Sequence, residues 1–99
     1  MYTFKGTITY IGFVETKGDK GFKKREFVVS PDFMVKYPNE VKFELFNENV
    51  DLIDDFKMND EVTVSFSLRG KRWSDKFYTS IVADHITKNI EDDKGDLPF

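Results

Sequence analysis

Residues 61–68 alternate without a break, with Val62, Val64, Phe66 and Leu68 on one phase and Thr63, Ser65 and Ser67 on the other. A helix would scatter these apolar residues around its axis, whereas a strand puts them all on one face. The period of two therefore predicts a half-buried strand. The same period recurs at residues 2–14, where Phe4, Ile8 and Tyr10 oppose Thr3, Lys5, Thr7 and Thr9, and at residues 41–46, where Val41, Phe43 and Leu45 oppose Lys42 and Glu44. Residues 22–30 and 77–87 give two further strands, the latter carrying Phe77, Tyr78, Ile81, Val82 and Ile86. Gly6 and Gly12 fall on the apolar phase of the first strand and mark where a long strand bends. Only residues 49–56 follow another rule: Val50, Leu52, Ile53 and Phe56 mix three- and four-residue spacings. They predict one helix of two to three turns, capped by Asn47 or Asn49, with the early acids Glu48 and Asp51 suiting its positive end.

The order is thus strand, strand, strand, helix, strand, strand. A helix between the third and fourth of five short strands predicts an all-β chain folded as an OB-fold, a partly open Greek-key barrel. At 99 residues there is room for one such domain, over residues 1–87, followed by an acidic tail over residues 88–99. The 11 phenylalanines serve mainly to fill the interior of a small barrel. With no cysteine, neither disulfides nor thiolate-bound metal supplement that core. No stretch approaches the roughly 20 apolar residues of a membrane span, and Met1–Gly6 lacks the layout of a signal peptide. The expected location is cytoplasmic, away from membranes.

A net charge of −3 would by itself disfavour a polyanionic partner, but its distribution points the other way. Residues 91–99 hold Glu91, Asp92, Asp93 and Asp96 against Lys94 alone, so the excess lies there and residues 1–90 balance. Two segments of that neutral body are each +3. Residues 15–25 set Lys17, Lys20, Lys23, Lys24 and Arg25 against Glu15 and Asp19, and residues 69–76 set Arg69, Lys71, Arg72 and Lys76 against Asp75. Local fields steer polyanions more than the overall sum does. In an OB barrel the loops between strands 1 and 2 and between strands 4 and 5 flank the face that takes oligonucleotides, and the basic segments fall on these two loops. Phe22 borders the first, Trp73 sits in the second, and Phe77 and Tyr78 follow it. Cations neutralise phosphates, and rings stack bases at about 1–3 kcal/mol each without regard to base identity. The candidate nucleic-acid-binding residues are therefore Lys17, Lys20, Phe22, Lys23, Lys24, Arg25, Arg69, Lys71, Arg72, Trp73, Lys76, Phe77 and Tyr78. Trp73 stands first among them, as the single tryptophan in a polar hairpin. The competing role for Trp73 is a cap folded over the barrel mouth, and Phe22 and Tyr78 divide between stacking and packing.

Catalysis finds no support. His85 is the one histidine, and the acids of residues 48–61 lack the spacing of a calcium-binding loop. There is no phosphate-cradling Gly-rich turn and no Ser/His/Asp set, so neither an enzyme nor a metal or other cofactor is expected.

The chain ends Glu91-Asp92-Asp93-Lys94-Gly95-Asp96-Leu97-Pro98-Phe99. This segment resembles the acidic C-terminal tip of bacterial single-stranded DNA-binding proteins, in which acids precede an apolar residue, Pro and Phe. The resemblance implies that Asp92, Asp93, Asp96, Leu97, Pro98 and Phe99 recruit partner enzymes of replication or repair, with the terminal ring in an apolar pocket and its carboxylate on a cation. The body has a resemblance of its own. Phe22-Lys23-Lys24-Arg25-Glu26-Phe27-Val28-Val29, Tyr37-Pro38, Val41-Lys42-Phe43-Glu44, Asp60-Glu61-Val62 and Leu68-Arg69-Gly70 are similar to an uncharacterised, OB-like family of Bacteroidetes and their phages. Members of that family often carry Gly in place of Asn59 and an aromatic near Asp84-His85. A bacterial cell or a phage-infected host follows as an implication.

Together these features predict a protein that coats single-stranded DNA with little sequence preference during replication, recombination or repair. The alternative is an OB-fold protein-interaction or replication-assembly module with secondary DNA or RNA binding. It would use the unusually apolar connection formed by Phe33, Met34, Val35 and Tyr37. A homo-oligomer is expected, with a dimer formed through residues 31–38 or through a sheet edge.

Overall fold

The computed structural model describes residues 2–32 and 34–88. Among these residues six strands form: β1 (Tyr2–Ile11), β2 (Glu15–Lys17), β3 (Phe22–Ser30), β4 (Val41–Phe46), β5 (Glu61–Trp73) and β6 (Lys76–Lys88). A 3-10 helix, Asn47–Asp55, separates β4 from β5. The sheet runs β1-β5-β6-β4-β3-β2, and an additional β1–β3 pairing closes it into a barrel. Its five long strands follow the expected order, with the helix between the third and the fourth of them. The short β2 pairs only with β3 and extends it into a two-stranded ribbon beyond the barrel.

Closure depends on β1 serving two partners. Tyr2 to Thr7 pair with β5, and Thr7 to Ile11 pair with β3, with an irregularity between Ile8 and Tyr10. At the handover a Cβ on Gly6 would lie 2.5 Å from the Ser30 carbonyl oxygen. Only a residue without a side chain lets β1 and β3 approach so closely there. On the other side of the barrel, β4 and β6 run parallel and join at Glu44 and Val82.

Inside lie Ile8, Phe27, Val29, Phe43, Leu45, Val62, Val64 and Ala83, with Val50 and Ile53 of the helix closing one end. The rings of Phe27 and Phe43 stack with centroids 5.4 Å apart. The helix is of the tighter 3-10 type, with three residues per turn. Val50, Ile53 and Phe56 are spaced by three, so this winding aligns them toward the core. Neither Asn47 nor Asn49 caps it as expected: Phe46 precedes the helix in extended backbone, with no side-chain cap. Asn47 instead adopts φ 50, and its Oδ1 accepts the Lys23 backbone N–H at 3.2 Å. Asn59 also stands at positive φ, 81, where its backbone N–H donates to the Ile8 carbonyl at 2.8 Å. Glycine would fill that position without strain.

The larger departure from expectation concerns residues 69–76, expected to form a basic loop. Residues 69–73 continue β5, and the register holds from Leu68↔Ile81 out to Trp73↔Lys76. Only Ser74 and Asp75 remain for the turn, with Ser74 at φ 63. Every residue from Leu68 to Thr79 is exposed. The segment is a two-stranded ribbon projecting from the barrel, with no core to cover either of its faces.

Candidate nucleic-acid interface

Residues opposite one another in a ladder share a face. The register of the β5–β6 ribbon therefore sorts its side chains into two sets. One face carries Trp73 with Lys76, Lys71 with Tyr78, Arg69 with Ser80, and Ser67 with Val82. The other carries Arg72 with Phe77, Gly70 with Thr79, and Leu68 with Ile81. On this second face the Arg72 guanidinium carbon stands 5.0 Å from the Phe77 ring centroid. Arg72 and Phe77 thus belong to a different surface from Lys71, Trp73 and Tyr78, although all five were expected to act together.

The first face continues into a groove of about 340 Å3 lined by Phe22, Phe46, Asn47, Asn49, Arg69, Ser80, Val82 and Asp84. The Phe22 and Phe46 rings, with centroids 5.5 Å apart, give it an aromatic wall. A continuous path thus runs from Trp73 at the tip, with 67% of its surface exposed, past Lys71 and Tyr78 to Arg69 and Phe22. Trp73 is no cap over the barrel mouth, because the ribbon carries it away from the core.

The first basic segment divides differently. Lys17, Lys20 and Lys23 are exposed on β2, on the turn between β2 and β3, and at the start of β3. Lys17 pairs with Glu15 at 3.5 Å. Lys24 is not a free cation: its Nζ lies 3.4 Å from Glu44 and 3.5 Å from Glu26. Burial pulls its ammonium down, but the attraction of Glu44 and Glu26 outweighs burial and holds it above the ordinary lysine value. Lys42 pairs with Glu26 at 3.4 Å, so the outer face of β3 and β4 is charge-balanced rather than basic.

Arg25 is corrected more firmly. It shares the inward phase of Phe27 and Val29, and only 14% of its side chain is exposed. Its Nε donates to the Gly12 carbonyl at 2.9 Å, and Nη1 donates to the Val50 carbonyl at 3.0 Å and to Asp54 Oδ1 at 2.8 Å. With these donors committed to the fold, Arg25 is a structural cation.

Sequence reasoning missed Phe46, Asn47, Asn49, Ser80 and Asp84. Phe46 had a signal, since it continues the outward phase of Lys42 and Glu44. Asp84 had one as well, since it continues the phase of Tyr78, Ser80 and Val82, although a bulge breaks that phase before Ile86. The ladder passes from Ser65↔His85 to Phe66↔Ala83 and leaves Asp84 as the extra residue. Its Oδ2 accepts the Ser67 hydroxyl at 2.7 Å.

The connection after β3 is held by Asp32, which accepts the Asn39 backbone N–H at 2.8 Å and its side-chain amide at 3.1 Å. Met34, Val35 and Tyr37 are exposed on it, while Phe33 lies outside the described residues. The tail residues Asp92, Asp93, Asp96, Leu97, Pro98 and Phe99 also lie outside them. Among the described residues no group of three His, Cys, Asp or Glu could hold a metal ion, and no helix is long and apolar enough to cross a membrane.

Solved structures share this architecture at low sequence identity. The single-stranded DNA-binding domain from Synechococcus sp. is 18% identical with a TM-score of 0.63, covering 87% of this chain and 91% of its own. The mitochondrial single-stranded DNA-binding protein Rim1 of S. cerevisiae is 13% identical with a TM-score of 0.68, covering 89% and 92%. The N-terminal domain of PriB from Thermoanaerobacter tencongensis, described as dimeric, is 15% identical with a TM-score of 0.59, covering 88% and 92%. These likenesses establish the OB-fold. No curated protein matches the chain by sequence. The family model described as "Domain of unknown function (DUF3127)" matches residues 3–87, and the chain belongs to that family.

Proposed function

We propose that the protein binds single-stranded DNA along the surface running from Trp73 to Phe22, with little dependence on sequence over most of its path. The observation that carries this is the segregation of the β5–β6 ribbon. One face alternates the cations Arg69, Lys71 and Lys76 with the rings of Tyr78 and Trp73, and the groove at its base adds Phe22 and Phe46. Cations spaced between flat rings suit a strand whose phosphates and bases alternate in the same way. That several structures of like fold are described as single-stranded DNA-binding proteins supports the proposal. The role in replication, recombination or repair, and the recruitment of partner enzymes by Asp92, Asp93, Asp96, Leu97, Pro98 and Phe99, rest on the resemblance of the tail. A second copy of the chain multiplies the phosphate contacts that one small barrel offers, so a homo-oligomer is part of the proposal.

Trp73 is the only tryptophan and provides the assay. Titration with oligo-dT should quench its fluorescence, with an affinity that falls steeply as salt rises. A parallel titration with oligo-U separates DNA from RNA preference. Fluorescence and mobility unchanged at low salt would defeat the proposal. They would favour the second reading, a protein-interaction module working through the exposed Met34, Val35 and Tyr37.

A further inference from the structure

The groove at the base of the ribbon contains a group that phosphate binding does not explain. Asp84 puts a carboxylate among Phe22, Phe46, Arg69 and Ser80, where it would repel a phosphate backbone. Alternation from Ser80 and Val82 puts it there, on the face of Ser67 and Arg69. The ladder then skips one residue between Phe66 and Ser65, so that Ile86, two residues on, returns to the core side opposite Val64. Bulges of this kind are common beside functional sites. The Ser67 hydroxyl at 2.7 Å on Oδ2 fixes the carboxylate, and among the described residues Oδ1 has no hydrogen-bond partner. Arg69 lines the same groove, yet no ion pair joins it to Asp84 among the described residues.

We infer that this groove reads one base of the bound strand, taking guanine in preference to thymine through the Asp84 carboxylate. The inference rests on the proposed single-stranded DNA binding and assigns a specificity to one position within it. A carboxylate offers acceptors only. Guanine presents two adjacent donors, N1–H and the 2-amino group, which match its two oxygens. Adenine and cytosine each offer one amino group flanked by a ring-nitrogen acceptor. Thymine offers N3–H flanked by two carbonyls, both of which repel the carboxylate. Unstacked bases are read on this edge in single strands. The groove volume of about 340 Å3 lies in the range of small-ligand sites. The Phe22 and Phe46 rings provide a wall for the base plane, and Arg69 is placed to meet an adjoining phosphate.

The test uses the full chain and short dT oligonucleotides whose central position is dT, dA, dC, dG or deoxyinosine, with affinities measured by anisotropy at one salt concentration. Bidentate pairing predicts that the dG strand binds about five-fold or more tighter than all-dT. Deoxyinosine, which lacks the 2-amino group, should lose most of that gain. Asp84→Asn should bring the dG-to-dT ratio close to one, with a thermal melt verifying that the variant folds. Equal affinity of the wild type for all five strands would overturn the inference and leave general DNA binding intact. A dG preference that survives both deoxyinosine and Asp84→Asn would also overturn it. Failure to bind any strand would remove the general proposal and this one together.

Discussion

Arg25 reaches from β3 to the 3-10 helix, where its Nη1 donates to Asp54 Oδ1 at 2.8 Å. The same nitrogen donates to the Val50 carbonyl, and Nε donates to the Gly12 carbonyl beyond the end of β1. One guanidinium thus ties together three segments distant in sequence, each of which packs on the barrel. Hydrogen bonds to a charged group contribute about 1.5–3 kcal/mol each, and their loss here would leave two carbonyls short of a donor.

Arg25→Ala should therefore destabilise the fold by about 2–3 kcal/mol, read as a lower midpoint in urea denaturation. DNA affinity per folded molecule should stay close to that of the wild type. Normal stability with weakened DNA binding would instead return Arg25 to the interface.

The barrel was legible because each of its strands has one buried face. Val62 and Val64, Phe43 and Leu45, and Phe27 and Val29 all write the period of two directly. The β5 half of the ribbon was not legible, for the same physical reason. Beyond Leu68 neither face is covered, so no apolar residues recur and the strand reads as a loop. The composition of residues 69–78 pointed to the interface, but only their register could divide Lys71, Trp73 and Tyr78 from Arg72 and Phe77. Arg25 misled because charge was counted without phase: its place two residues before Phe27 aligns it with the core. The helix type was equally hidden, since Val50, Leu52, Ile53 and Phe56 fit both windings.

The clasp on the connection after β3 should respond to acid. The Asn39 backbone N–H, with smaller help from the Asn39 side chain and Ser30, holds the Asp32 carboxyl below its ordinary value of 3.8 against the opposing effect of burial. A carboxylate depressed by folding contributes stability that is present above its unfolded value and lost as pH falls through the folded value. The Asn39 amide should therefore hold its chemical shift and exchange protection from neutral pH down to about 4 and lose both below it. In Asp32→Asn that acid transition should vanish. A wild-type Asn39 signal that stays flat while the Asp32 carboxyl carbon shift shows that group becoming protonated would show that the clasp does not depend on the charge.

If the strand follows one face of the ribbon, its cations are not equivalent. Lys71 and Lys76 lie on the face of Trp73 and Tyr78, and Arg72 lies on the other. Replacing Lys71 and Lys76 together by Ala should shrink the slope of log K against log salt by about 1.4, from roughly 0.7 per phosphate contact on single strands. Arg72→Ala should leave the slope nearly unchanged. Equal losses from the double variant and from Arg72→Ala would mean that DNA wraps both faces, and no change in either would place the phosphates elsewhere.

Trp73 gives the sharpest separation between binding and folding. It sits in the last paired position before the turn, opposite Lys76, and 67% of its surface is exposed. Burial there contributes little to stability, so Trp73→Ala should leave the melting temperature almost unchanged. A base stacked on the indole contributes about 1–3 kcal/mol, so the same variant should bind oligo-dT roughly five- to 150-fold more weakly. Trp73→Phe keeps a flat ring and should recover much of that loss, whereas Trp73→Leu keeps apolar bulk without a π face and should not. Because these variants remove the fluorophore, anisotropy of labelled DNA is the measurement to use. Equal binding by the Phe and Leu variants would assign the contribution to apolar contact rather than stacking. A melting temperature that drops with Trp73→Ala would mean that the ribbon tip packs against another part of the protein or against a second copy.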